Sequence, residues 1–282
     1  MRTITNRYLP AFLIFVFITN TACASKSGEP VTPGNDPNFT IVKNTDEGLE
    51  ICNRKVLVFE IPVYAVPDVA DVKLLHAANI MAQYLDNDED GTVDNAQVHT
   101  QLKAANAFMI MWARESDLDI SVPDNRRGQD LGNDETIPTF VTNGKSGRFD
   151  ASLEEVLHLI TSIGYANAYP NVFGENPSSL IAKAMDTARG GYFNKVPSSY
   201  PSNAWYTYDD NTCDYPCMVT EYFYWALTSI LGAQKNRLDE IGQEWRLNTN
   251  EKVKNSDSAV YELLTDSQYT LPNILPDGSY RR

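Results

Sequence analysis

Histidine, cysteine and positive charge are all scarce in this chain. Its 282 residues include only three histidines (His76, His99 and His158) and four cysteines (Cys23, Cys52, Cys213 and Cys217). Lys and Arg number 23 against 37 Asp and Glu, a formal net charge of -14. So acidic a surface repels phosphate backbones and attracts cations, which argues against nucleic acid and anionic membrane as partners. Beyond the first twenty residues no apolar run is long enough to span a bilayer. A glycine-rich phosphate loop and a G-x-S-x-G nucleophile elbow are both missing, and no residue points to a Ser-His-Asp set.

The beginning of the chain reads as an export signal. Arg2 and Arg7 form a short basic region, and residues 9–18 (LPAFLIFVFI) form an apolar stretch too short for a transmembrane helix. Ala22-Cys23-Ala24 fits cleavage before Ser25, and Thr21-Ala22-Cys23 also resembles a lipobox that would leave Cys23 lipidated. Either reading makes residues 1–24 a signal peptide and the protein exported: periplasmic, attached to the cell surface or secreted. Residues 25–37 (SKSGEPVTPGNDP) read as a flexible tether, and residues 38–282 as one globular domain. In an oxidising compartment Cys213 and Cys217 are placed to pair across TCDYPC, with Cys52 pairing one of them as the alternative.

Periodicity predicts an α+β fold, mainly helical with a small sheet. Residues 55–66 (KVLVFEIPVYAV) read as a strand that Pro62 makes bent or places at an edge. A helix follows from about Asp68 or Asp71 to Leu85, and a second from Ala96 to about Ala105. Residues 107–113 (AFMIMWA) read as a buried strand, and residues 114–149 as a long surface excursion. Ser152 is the expected N-cap of a third helix, with Glu155 completing a capping box. Further helices are expected over residues 177–188 and, strongly apolar, over residues 218–233.

Between the first two helices lies an acidic loop, Asp86-Asn-Asp88-Glu-Asp90-Gly91-Thr92-Val-Asp94. Oxygen-bearing residues fall at relative positions 1, 3, 5, 7 and 9 with glycine at 6, the spacing of an EF-hand-like calcium loop. Position 12 is Gln97, where that pattern asks for a bidentate glutamate. The expected Ca²⁺ ligands are therefore Asp86, Asp88, Asp90, Thr92, Asp94 and Gln97.

His76 and His158 each take an apolar position on a helix face, whereas His99 follows Val98 in a polar helix. His76 stands ten residues before Asp86, roughly 15 Å along a helix, so the two cannot serve one ion. Glu154 and Glu155 precede His158 by four and three residues, which puts both carboxylates beside the imidazole. That arrangement suits a transition-metal site, with the carboxylates as ligands or as supports for the ring. It also partly matches the zinc-protease helix, with Glu155 in the place of the general base and Glu154 replacing a histidine. Glu221, inside the apolar run TEYFYW, needs a partner or a metal.

The run from Lys73 through His76 and Gln83 to Gly91 and Asp94, with Leu153-Glu-Glu-Val-Leu-His158 downstream, resembles the MopE/CorA surface copper proteins of methane-oxidising bacteria over about residues 55–165. The resemblance implies that His76 and His158 hold one copper ion. The family's oxidised tryptophan, its third copper ligand, lies two residues before the first histidine, and Leu74 occupies that position here. Two imidazoles suit copper or zinc. The leading expectation is an exported metal-binding protein with copper or another transition metal at His76 and His158, Glu154 and Glu155 beside it, and Ca²⁺ in the acidic loop. The alternatives are a metal-dependent hydrolase with Glu155 as base, and a calcium-stabilised surface protein whose histidines are core residues.

Overall fold

The computed structural model describes residues 2–3 and 36–282. The apolar run 9–18, Cys23 and the tether as far as residue 35 lie outside the described residues. The architecture is mixed α/β, built on a five-stranded sheet of order β2 (Val42–Lys43), β3 (Arg54–Val58), β4 (Ile61–Ala65), β5 (Phe108–Trp112) and β7 (Gly128–Gly132). β2, β3 and β4 are antiparallel neighbours, whereas β4, β5 and β7 run parallel. Apart from this sheet, β1 (Arg2–Thr3) pairs antiparallel with β6 (Ser121–Val122).

Parallel neighbours need a crossover, and the one joining β4 to β5 consists of α1 (Asp71–Leu85), the acidic loop and α2 (Ala96–Ala104). Asn95 caps α2 by accepting from the Val98 amide. Almost every side chain of α1 from Leu74 onward is buried, as expected of a helix covered on all sides. It packs on β3 and β4, on α3 (Ser152–Leu159), and under the last residues of the chain. After His158 the third helix widens into a π-helical stretch, Ile160–Tyr165, and continues through α4 (Ala166–Ala168) to α5 (Pro170–Phe173). α6 (Leu180–Ala188) packs on the central α7 (Tyr215–Ile230), which is capped by Asp214 and packs on α3. α8 (Leu238–Ile241), α9 (Asn250–Ser256) and α10 (Ser258–Thr265) follow.

Several local expectations are corrected. Residues 55–66 form a hairpin rather than one strand, turning at Phe59 and Glu60, both with positive φ. Pro62 is not at a sheet edge. Its strand pairs β5 only from Val63 onward, so the missing N–H costs no bond there. The excursion 114–149 contributes β7, and Leu131 and Phe140 from it enter the core. Ser152 is not the N-cap of α3. Ala151 is, and the Ser152 hydroxyl donates to Asp150 Oδ1 at 2.6 Å. Cys213 and Cys217 are bonded to each other, the first of the two expected pairings, and among the described residues the buried Cys52 thiol has no disulfide partner.

Candidate metal centre

Among the described residues, two groups of three His, Cys, Asp or Glu side chains bring donor atoms within 4.8 Å of one another: Glu154, His158 and Glu221, and Asp86, Asp88 and Asp94.

The first group sits between α3 and α7. The 3.6-residue period of α3 turns Glu154, Glu155 and His158 to the same side, and packing of α7 against α3 brings Glu221 opposite them. His158 Nε2 is 3.7 Å from Glu221 Oε2 and has no hydrogen-bond partner among the described residues, although the atom is sealed from solvent. His158 Nδ1 faces Glu155 Oε2 at 3.5 Å. Glu155 is in turn tied to the sheet, its Oε2 accepting from the Gln129 side chain at 2.6 Å. His158, Glu155 and Glu221 are buried and Glu154 is partly exposed. The Tyr224 ring stands nearly perpendicular to the imidazole, 5.5 Å away between centroids.

Burial dominates the electrostatics here. It raises Glu154 to about 7, with repulsion from Glu155 adding and His158 opposing. It raises Glu221 to about 8, with Glu154 and Glu155 adding to the push. Glu155 is held well above the usual carboxylate range by burial and by the charges of Asp130 and Glu135. Three carboxyls crowded around one imidazole are short of positive charge, a deficit that a divalent cation would fill.

His76 has different neighbours. Its Nε2 lies 2.6 Å from Asp150 Oδ2, just before the start of α3, whereas His158 lies six residues into that helix, roughly 9 Å along the axis. Both His76 and Asp150 are buried. Burial would raise Asp150, but the hydrogen bond and charge of His76, with the Ser152 hydroxyl and the Ile137 amide, outweigh it and hold the carboxyl low. His76 belongs to neither three-residue group. His99 is partly buried, with its Nε2 2.6 Å from the Phe59 carbonyl.

In the acidic loop, Asp86 is fully buried while Asp88 and Asp94 are exposed. Asp86 Oδ1 accepts from the Asp90 amide, and Oδ2 accepts from the Gly91 amide and the Tyr280 hydroxyl. Asp90 accepts from the Thr92 amide. Gly91 supplies φ +92° for the turn, a conformation that glycine adopts without steric cost. Asp90 stands outside the close group, and Gln97 is exposed.

Residue-type reasoning located Glu154 and His158 and marked Glu221 as needing a partner. It missed Asp150, which is 74 positions from His76, and Gln129, whose strand carries no apolar pattern. The one available signal for Asp150 was that an imidazole on an apolar helix face requires a polar partner. Set beside protein-family models, curated proteins and solved structures, the chain matches none of them.

Proposed function

We propose that this is an exported metal-binding protein that holds one divalent transition-metal ion at His158, Glu154 and Glu221. The observation that carries the reading is the sealed His158 Nε2, without a hydrogen-bond partner among the described residues and facing a buried carboxylate. A buried polar atom left unpaired costs about 1–3 kcal/mol, which a bound ion would recover. Donor atoms around a tetrahedral zinc ion stand roughly 3.3 Å apart, so three within 4.8 Å close on an ion with side-chain shifts of about 1 Å. One imidazole and two carboxylates make a harder set than two imidazoles, which favours a divalent ion such as Zn²⁺ or Cu²⁺ over Cu⁺. Glu155 would fix the ring by accepting from Nδ1. Binding would displace protons held by the raised carboxyls.

The acidic loop is proposed as a second, weaker site for Ca²⁺, built on Asp86, Asp88 and Asp94. A hydrolase with Glu155 as base has less support. Glu155 is buried and engaged by Gln129, and cavities of about 460 and 320 Å³ elsewhere on the surface include no residue of the His158 centre.

Elemental analysis of the purified protein, followed by X-ray absorption at the metal edge, tests the reading. One ion per chain with a single imidazole among oxygen donors is expected. A metal-free protein that takes up no ion on dialysis against Zn²⁺ or Cu²⁺ would refute it.

A further inference from the structure

The last stretch of the described chain lies along one face of α1. Asn79, Gln83 and Asn87 are spaced four apart and so project from α1 and the turn after it in one line. Each reads the backbone of this stretch. Asn79 Oδ1 accepts from the Tyr280 amide, Gln83 Oε1 from the Asp277 and Gly278 amides, and Asn87 Oδ1 from the Asn273 and Ile274 amides, all at 2.8–3.0 Å. Three residues before Asn79, on the same face, is His76. Gly278 presses so closely on it that a Cβ there would lie 2.1 Å from the imidazole Nδ1 and Cε1.

We propose that residues 271–282 form a releasable lid over the His76–Asp150 dyad, seated by this ladder of side-chain amides. Three features make the lid separable from the core. The stretch follows the 3₁₀ turn Ser267–Tyr269 and contributes no further helix or strand. Between residues 273 and 278 its backbone amides are held by side chains on one face of α1, and Ile274 there is 61% exposed, features of segments that open below the global unfolding free energy, whereas Tyr280 is buried against Phe39 and Phe59 with its carbonyl accepting from Asn38 Nδ2 and is the stronger anchor. Its first joint is Thr270, a β-branched residue with φ +46° and ψ +43°, a conformation such residues enter at a cost. The Tyr280 hydroxyl on Asp86 is the latch at the far end.

Beneath the lid is an imidazole held in one orientation by a buried carboxylate, the arrangement of a proton acceptor or a nitrogen ligand. Seated, the lid keeps His76 from solvent. Lifted, it exposes the dyad along the groove of α1.

Hydrogen exchange on the full-length protein tests this directly. The amides of residues 273, 274, 277, 278 and 280 are expected to exchange together, at least tenfold faster than the core amides of α1 and with little denaturant dependence. Gln83→Ala, with Gly278→Ala as a second route to the same opening, should accelerate them about tenfold more. Both should raise carbethoxylation of His76 by diethyl pyrocarbonate by a similar factor, with far-UV circular dichroism unchanged. Lid amides in the wild-type protein that exchange only with global unfolding would overturn the proposal. So would a His76 that stays unreactive in either folded variant.

Discussion

His158 Nε2 and Glu221 Oε2 face each other across the α3–α7 interface at 3.7 Å, beyond hydrogen-bonding distance and close to the separation of two ligands on one ion. If this gap is a metal seat, the two residues are not equivalent to Glu155. Glu221→Gln should weaken Zn²⁺ binding by on the order of 100-fold. Glu155→Gln, which alters the support of the ring and removes one charge beside Glu154 and Glu221 without removing a ligand, should weaken it about tenfold. Competition against a chromophoric zinc chelator measures both.

The raised carboxyls set a pH dependence for the metal-free protein. Glu221 is raised to about 8, and Glu154 and Glu135 to about 7, burial being the main cause for each. A carboxyl whose folded value is raised contributes stability that is complete below its unfolded value, about 4.3, and is lost as pH rises through the folded value. The melting temperature of the metal-free protein should therefore fall between about pH 5 and pH 8. Glu135→Gln should flatten part of that slope, because the amide oxygen can still accept from the Gly132 N–H. Saturating Zn²⁺ should oppose the fall, and its affinity should rise over the same interval as proton competition disappears. Thermal melts with and without zinc across this range check the signs.

Asp150 behaves in the opposite sense. Its folded value is held low, chiefly by His76 against the effect of burial, so its contribution is present above the unfolded value, about 3.9, and is lost as pH falls through the folded one. Asp150→Asn leaves His76 buried opposite a neutral amide and also disturbs the contacts to Ser152 and Ile137. A loss of about 3–5 kcal/mol at neutral pH is expected, the cost of breaking a buried pair. The difference from wild type should shrink below about pH 4, which urea titrations at several pH values will show.

Calcium should bind the acidic loop weakly, with a Kd of about 10⁻⁴ M, because Gln97 is exposed and no bidentate glutamate closes the shell. At a 100-fold excess over Kd the ion would add about 2.7 kcal/mol of stability. Asp88→Asn should cost roughly tenfold in affinity. Tyr280→Phe should cost a few-fold, since its hydroxyl helps hold the Asp86 carboxylate in place. Calorimetric titration gives the affinities, and a melt with added calcium gives the stabilisation.

What was legible in the residues follows physical range. α1, α2 and β5 announced themselves by local apolar pattern, and the acidic loop by spacing. Glu154 and His158 were legible because one helical turn fixes their relation. β7 was not, since Gly128-Gln-Asp-Leu-Gly132 carries one apolar residue and becomes a strand only because β5 offers it an open edge. α9 is polar apart from Val253, and α10, although it carries Val260 and Leu264 four apart, is only eight residues long, too short for its pattern to stand out. No local pattern marks Asn79 and Gln83 on α1, or Asn87 in the acidic loop, as holding residues 273–280, which lie about 190 to 200 positions away. Pairing of His76 with Asp150 rather than with His158 depends on how α1 meets the start of α3, which no local pattern encodes.

Zinc titration of three proteins, wild type, His158→Ala and His76→Ala, tests the central claim most directly. One ion should bind the wild type and His76→Ala with affinities within a few-fold of each other, and His158→Ala should not bind it. Loss of the ion from His76→Ala to the same extent as from His158→Ala, with both variants folded, would contradict a centre built on His158, Glu154 and Glu221 and would return the metal to a site shared by the two histidines.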